Sequence, residues 1–490
     1  MPRSSIAKIL SIVATAALIA AACSGVADVS AGDAAATGDR DASSDSVPEA
    51  RATPTAPPSP RPTPTPEPDP AGRAELPDDL VLETGPRLAI QTSEGQIFTV
   101  LGDGSNVVAL TEATEGRVNT LPTWSQDANR LAWLAIDEAA GDTSLRSARF
   151  DGSAWRDIAL RDTPTYLAWG PSGRQVATLG PGPFGILELG VADIDQTAEW
   201  RAVDEGTPFW FSWSPDGDAF LVHASGLRLD FVPLEGPSQV LEQEPGLFQA
   251  PRWLDGAVQL IYADEVAGEQ FLVVAGPEGA GRRALVSYDG YLQFSIAPES
   301  GLIALHVIDP SLAPIPDVIT ASFQDDFTDI VDAIPRGELT LMAEFGGDPF
   351  VLYPDPGNFQ PRPVVGFFWS PDGGSLAWLV ELDPGDGDCA SETAQYEWQF
   401  WTSNTFLPGP RFTPTPTFAC DYIPRFDQFE QSVSFWSPDS TVLTYAGTDL
   451  FTGERGIWNL RPGVGPQLMA AGEIAVWSPD AAGSAAASSL

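Results

Sequence analysis

The chain has 490 residues and a formal net charge of −42, from 67 acidic against 25 basic side chains. That balance argues against nucleic acid or an anionic lipid surface as a partner, because phosphates would be repelled, and it favours metal cations and basic ligands. Three cysteines, two histidines and the single lysine Lys8 leave few residues for thiol, imidazole or amine chemistry.

The first residues carry Arg3 and Lys8, followed by an apolar run from Ile9 to Ala21 and the small residues Ala20, Ala21 and Ala22 before Cys23. This is the layout of an export signal over 1–22, and its apolar run is too short to span a bilayer. A cysteine directly after small residues resembles the bacterial lipobox, which implies lipid attachment at Cys23 and a place outside the cytoplasmic membrane, in the periplasm or at the cell surface. Cleavage nearby by an ordinary signal peptidase, with Cys23 incidental, is the alternative, and it exports the chain too. Residues 23–81 read as a linker, first rich in Ala, Asp, Ser and Gly and then in Pro and Thr, as in Thr53-Pro54-Thr55 and Pro62-Thr63-Pro64. Such a composition builds no core. As polyproline II, the stretch from Pro48 to Pro70 would reach roughly 70 Å.

From Leu82 the pattern changes. The tetrapeptide Trp-Ser-Pro-Asp stands at Trp213, Trp369, Trp436 and Trp477, with looser copies at Trp124, Trp169, Trp253 and Ile296. Apolar stretches flank each copy, as in Phe211-Ser212-Trp213 before one turn and Leu376-Ala377-Trp378-Leu379 after another, so each unit reads as strand, turn, strand. Proline presets φ in the turn, aspartate bonds back to nearby amides, and glycine takes the exit geometry. A unit repeated eight times that cannot bury both of its faces alone predicts an all-β propeller over 82–480, built of four-stranded blades. The seven tryptophans at one motif position are expected to pack between blades, not to stack on a sugar.

Intervals between successive copies are 45, 44, 40, 43, 73, 67 and 41 residues, so two blades carry insertions. After Trp477 only the small, polar tail 481–490 remains, and it supplies no partner strand. Pro86-Arg87-Leu88-Ala89-Ile90 near the start looks like a strand whose motif is missing; compare Asn129-Arg130-Leu131-Ala132-Trp133. The two ends therefore complete one blade, which gives eight; seven remains the alternative if the Ile296 or Trp253 copy is not a blade.

The motif resembles that of TolB-type, WD-repeat-like propellers, in which this turn joins the innermost strand of a blade to the second. The resemblance covers about Leu82 to Asp480. It implies a binding or scaffold module in the cell envelope, engaging a protein, peptide or glycan and held at the membrane through the lipid on Cys23. It also places the longer loops, such as 137–142, 309–317 and 381–392, on the face opposite the motif turns.

The candidate sites are few. His223 and His306 each stand ten residues after a motif anchor, and propeller lyases hold a metal with histidines near such a mouth, so a metal site there is one expectation and a partly buried structural role is the other. Asp383, Asp386, Asp388 and Glu392 could offer oxygen ligands to calcium, although their spacing is not that of an EF-hand. Cys389 and Cys420 are expected to pair in an oxidising compartment. No nucleophile elbow, zincin helix or phosphate-binding loop is present in the sequence, and no cofactor is expected beyond such a cation. The chain is expected to be a monomer. The alternative function is an extracellular hydrolase or lyase acting on carbohydrate or peptide.

Overall fold

A computed structural model describes residues 72–75, 83–195, 199–254, 259–308, 333–334, 337–343, 348–353 and 362–479. The chain divides into two units, Met1–Pro70 and Ala71–Leu490, and every described residue belongs to the second. The export signal, Cys23, the Pro/Thr stretch, the loop 309–317 and the tail 481–490 lie outside the described residues.

Each motif ends one strand and each motif turn begins the next. The strands Arg117–Trp124, Tyr166–Trp169, Phe209–Trp213, Arg252–Leu254 and Tyr291–Ile296 each open an antiparallel sheet that meanders outward through three further strands. The Arg252–Leu254 sheet gains a short fifth strand, Ala333–Ile334, parallel to its outer edge. A seven-stranded sheet joins two further units: Val364–Trp369 and its three successors form one, and Leu443–Asp449, Arg455–Leu460 and Gln467–Ala470 belong to the other. The innermost element of that second unit is the short stretch 434–436, bridged at Trp436 to Leu443 and at Ser434 to Trp477. This is a β-propeller, and the strand order fits eight blades, named below by their motif residues.

The last blade is assembled from both ends of the chain. Ile474–Trp477 pairs with Arg87–Gln91, which continues into Ile97–Leu101 and Val108–Ala109. Ser478 N–H donates to the Arg87 carbonyl at 2.7 Å, and Arg87 N–H donates to Ser478 Oγ at 3.0 Å. The same pair of bonds joins Ser125 to Arg130 inside one hairpin, so Arg87 fills, from the other end of the chain, the place Arg130 fills locally. Closure satisfies an edge that would otherwise stand open. Residues 72–75 are also held by the propeller, through Ala74 N–H to the Leu110 carbonyl at 3.1 Å.

The motif residues divide the labour. The serine hydroxyl donates to the aspartate Oδ1 two residues on (Ser125–Asp127, Ser214–Asp216, Ser370–Asp372, Ser437–Asp439, all 2.5–2.6 Å), and the same Oδ1 accepts a backbone N–H from across the turn. Gly373 takes φ +61°, and a Cβ there would stand 2.0 Å from the Pro298 carbonyl of the neighbouring blade. Only glycine permits that approach. The tryptophan links blades. The indole N–H of Trp169 donates to the Thr123 carbonyl, that of Trp213 to Ala168, of Trp369 to Ser295, of Trp436 to Phe368 and of Trp124 to Val476, at 3.0–3.3 Å. In each case the acceptor is the residue just before the neighbouring blade's motif position. Trp477 closes the ring with a 2.9 Å bond to Thr444 Oγ1, and Thr444 N–H in turn donates to the Phe435 carbonyl at 2.7 Å.

Trp253 breaks the pattern, as its irregular motif foreshadows: its indole nitrogen is buried without a partner. Removing a partnered donor forfeits a buried hydrogen bond worth about 0.5–1.5 kcal/mol. Trp169→Phe should therefore lower stability in chemical denaturation by about 0.5–1.5 kcal/mol more than Trp253→Phe does; equal losses would show that ring volume alone matters.

Candidate functional site

The insertion after Thr405–Pro414 builds an unexpected element. Residues 415–433 leave the outer strand of the Trp369 blade and form three helical turns, Phe418–Tyr422, Ile423–Arg425 and Phe426–Phe429, before entering the next innermost strand. Phe418, Tyr422, Phe426 and Phe429 recur at spacings of four, four and three, which gathers them on one side of a helical path. Each is buried. Phe426 packs on Phe367 at 4.5 Å between ring centroids, and Phe429 packs on Tyr166 at 5.0 Å and on Tyr422 at 4.4 Å.

Phe367 and Tyr166 lie on innermost strands, so the insertion occupies the propeller axis. Its polar contacts reach blade after blade. Thr123 Oγ1 donates to the Ser432 carbonyl at 2.8 Å, and the Tyr166 hydroxyl to the Gln428 carbonyl at 2.9 Å. Gln428 pairs with the backbone of Phe211 in both directions, accepting its N–H at 3.0 Å and donating to its carbonyl at 2.9 Å. Arg252 spans the Asp427 carbonyl and the Glu430 carboxylate, which also accepts from Ser295. The disulfide Cys389–Cys420, with Cα atoms 5.2 Å apart, ties this axial plug to the loop between the second and third strands of the Trp369 blade.

Burial controls the ionisable groups here. Asp427 is 2% exposed, and burial lifts its carboxyl to about 7 against the opposing pull of Arg252 and two backbone N–H groups. The Gln249 amide faces both of its oxygens. Burial also raises Glu430, again opposed by Arg252. A second buried group lies where the Trp213 and Trp253 blades meet: Arg282 pairs with Glu242 of the first and Asp264 of the second, the Tyr262 hydroxyl donates to Glu242, and burial lifts Asp264 to about 7. These networks hold arginine against carboxylate, the arrangement that makes buried charge tolerable.

At the motif-turn end the plug stops short of the surface, leaving a cavity of about 320 Å³. Its floor is Glu430 to Phe435, and its walls are the edges of Trp124, Trp169, Trp369, Trp436 and Trp477 with Pro298, Pro371, Pro438 and Pro479. The result is an axial funnel, open at one face and stopped by the plug at its base. Asp127, Glu299, Asp372 and Asp439 are each exposed and stand next in sequence to the lining residues Gln126, Pro298, Pro371 and Pro438. Burial would raise Asp372 and Asp439, but hydrogen bonds from Ser370 and Ser437 outweigh it and hold both below the usual carboxylate range.

The residues singled out by the sequence stand elsewhere. His223 is buried in a second strand, its ring stacked on Phe248 at 4.2 Å and its Nδ1 3.0 Å from the Gln249 carbonyl. His306 is buried with Nδ1 3.2 Å from Gln293 Oε1, across one strand pair. Burial lowers both to about 4. Among the described residues no group of three or more His, Cys, Asp or Glu is placed to hold a metal ion. Asp383, Asp386 and Asp388 each accept a backbone N–H two residues on, so their carboxylates shape the loop's own turns; Glu392 is exposed. The cavity opens on the motif-turn face, opposite the one to which the resemblance assigned the longer loops. The interval of 67 residues and the spacing of Phe418, Tyr422, Phe426 and Phe429 were the available signs of the plug. Nothing in one sequence says that an insertion turns inward.

No family model matches the chain, and no curated protein matches it. Solved structures similar to it include a eukaryotic initiation factor (TM-score 0.48, 12% identity, covering 81% of this chain and 99% of that one) and TolB from Acinetobacter baumannii (TM-score 0.34, 11% identity, 66% and 63%). The β-propeller domain of the trilobed protease from Pyrococcus furiosus is another (TM-score 0.38, 12% identity, 64% and 88%). The likeness is one of fold and carries no activity across.

The plug makes a test of its own. Asp427 binds its proton more tightly folded than unfolded, so its contribution to stability is present at low pH and is lost as the pH rises through about 7. His223 and His306 act with the opposite sign, their contribution being present above the unfolded value near 6.5 and lost as the pH falls toward 4. Comparing the wild-type chain with Asp427→Asn isolates the carboxyl. The thermal midpoint of the wild type should fall relative to the variant between pH 5 and pH 8; parallel curves would contradict the assignment.

Proposed function

We propose that this chain is a lipid-anchored, extracytoplasmic binding or scaffold module of the cell envelope, which receives a peptide, protein or glycan in the axial funnel. The observation that carries the reading is the funnel itself. It is apolar in its walls, polar at its mouth and closed at its base, and its volume lies at the small end of the roughly 300–1,000 Å³ typical of ligand sites. The described carboxylate–arginine networks are paired within the fold, as in a rigid receptacle. A disulfide between Cys389 and Cys420 suits an oxidising compartment, in keeping with the signal-like start and Cys23.

Two measurements test the reading. Cys23→Ser should move the protein from the membrane fraction to the soluble fraction; retention at the membrane would refute the anchor. On peptide and glycan arrays, Gln126→Trp places a large ring at the exposed rim of the funnel, and it should reduce binding to the wild type's ligands at least tenfold. Array binding unchanged in that variant would mean that the funnel is not the site.

A further inference from the structure

Resting on that reading, we propose that the funnel takes a cationic side chain, an arginine or lysine presented by a basic peptide segment of a partner protein. Its shape and its charge select the guest separately. The walls offer tryptophan edges and proline rings, which suit the methylene stem of such a side chain, and the rim offers carboxylates to its head.

The rim charge is built by the fold. Asp127, Asp372 and Asp439 are the aspartates of the repeated turn, and each is fixed through Oδ1 by its own serine and by a backbone N–H. Glu299 takes the same place in the Ile296 blade. Because the blades are arranged about one axis, a residue repeated for turn geometry becomes a ring of like charge around the mouth. Among the described residues none of these four carboxylates forms a salt bridge with an arginine, whereas Glu430 on the floor is paired with Arg252. Arg461 lies near enough to Asp439 to help lower it, so the charge without an arginine beside it is that of Asp127, Glu299 and Asp372, which would attract a cation, while the floor is neutralised.

The remaining geometry narrows the partner. The plug closes the axis, so a chain cannot thread through and the guest enters from one face. A volume of about 320 Å³ admits one or two side chains, not a folded domain. An anionic guest would meet the rim carboxylates and a protein of net charge −42. A tip carried on a flexible basic segment meets each of these conditions, and electrostatic steering would speed its arrival and weaken with salt.

The test uses the full mature chain and isothermal titration with tetra-arginine, tetra-glutamine and tetra-glutamate. Tetra-arginine should bind, with affinity reduced at least tenfold by Gln126→Trp and about tenfold by the Asp372→Asn/Asp439→Asn pair. Asparagine keeps the Oδ1 acceptor and so keeps the turn, and circular dichroism confirms the fold of each variant. A loop control, Asp383→Asn/Asp386→Asn/Asp388→Asn, should leave affinity within twofold. Tetra-glutamine bound as tightly as tetra-arginine, with both lost in Gln126→Trp, would overturn the cationic guest and leave the funnel as the site. Tetra-arginine insensitive to Gln126→Trp but weakened by the loop control would overturn both, as would no binding of any of the three peptides.

Discussion

The bond from a tryptophan indole to the carbonyl of the next blade is the contact on which this architecture rests. A four-stranded blade has two apolar faces and covers neither by itself, so blades are stable only against each other. Burial supplies most of the energy but little direction. The indole N–H supplies direction: it reaches the carbonyl just before the neighbouring motif position, and that carbonyl belongs to a strand whose own tryptophan does the same one blade further on. Trp169 to Thr123 and Trp213 to Ala168 are consecutive links of this kind, and Trp436 to Phe368 is another around the ring. Rotation per blade is thereby fixed, and with it the radius at which innermost strands face the axis.

Closure follows from the same geometry. Ser478 and Arg87 form across the two ends of the chain the bonds that Ser125 and Arg130 form within one hairpin. The reading of Arg87–Gln91 as a strand lacking its motif rested on likeness to Arg130 and its successors, and the pairing of Leu88 with Trp477 has that register. This part of the fold was legible because a local turn chemistry repeats: the same residue types at the same spacing must make the same bonds wherever they occur. The weak copies were legible for the same reason. Ile296 has no indole, yet Ser295, just before it, still accepts from Trp369, so the backbone of that blade keeps its place in the ring.

The plug was not legible in the same way. Its contacts depend on pairing a single insertion with six separate strands, which no repeat announces. Gln428 shows the difficulty: its amide completes the backbone of Phe211 as another strand would, but an isolated glutamine in a sequence carries no sign of that role. The two histidines drew attention because they are rare, and they proved to be buried side chains with local partners. Rarity in composition is weak evidence for chemistry when the position itself, ten residues past a motif, is one that elsewhere holds Leu134, Leu179 or Leu379.

Filling the axis changes what the molecule can do. An open ring offers two mouths and a wet channel, whereas this ring, stopped by Phe426, Phe429 and the Arg252–Glu430 pair, has a recess on the face that carries the repeated turns. The repeat then serves twice, since the tryptophans that set blade geometry form the walls of the recess and the aspartates that set turn geometry stand next in sequence to its lining. Neither set can be altered freely for binding without cost to folding. Ligand preference is therefore tied to the repeat itself, and room for specialisation is left at positions such as Gln126, which lies at the rim and takes no part in the turn's side-chain hydrogen bonds.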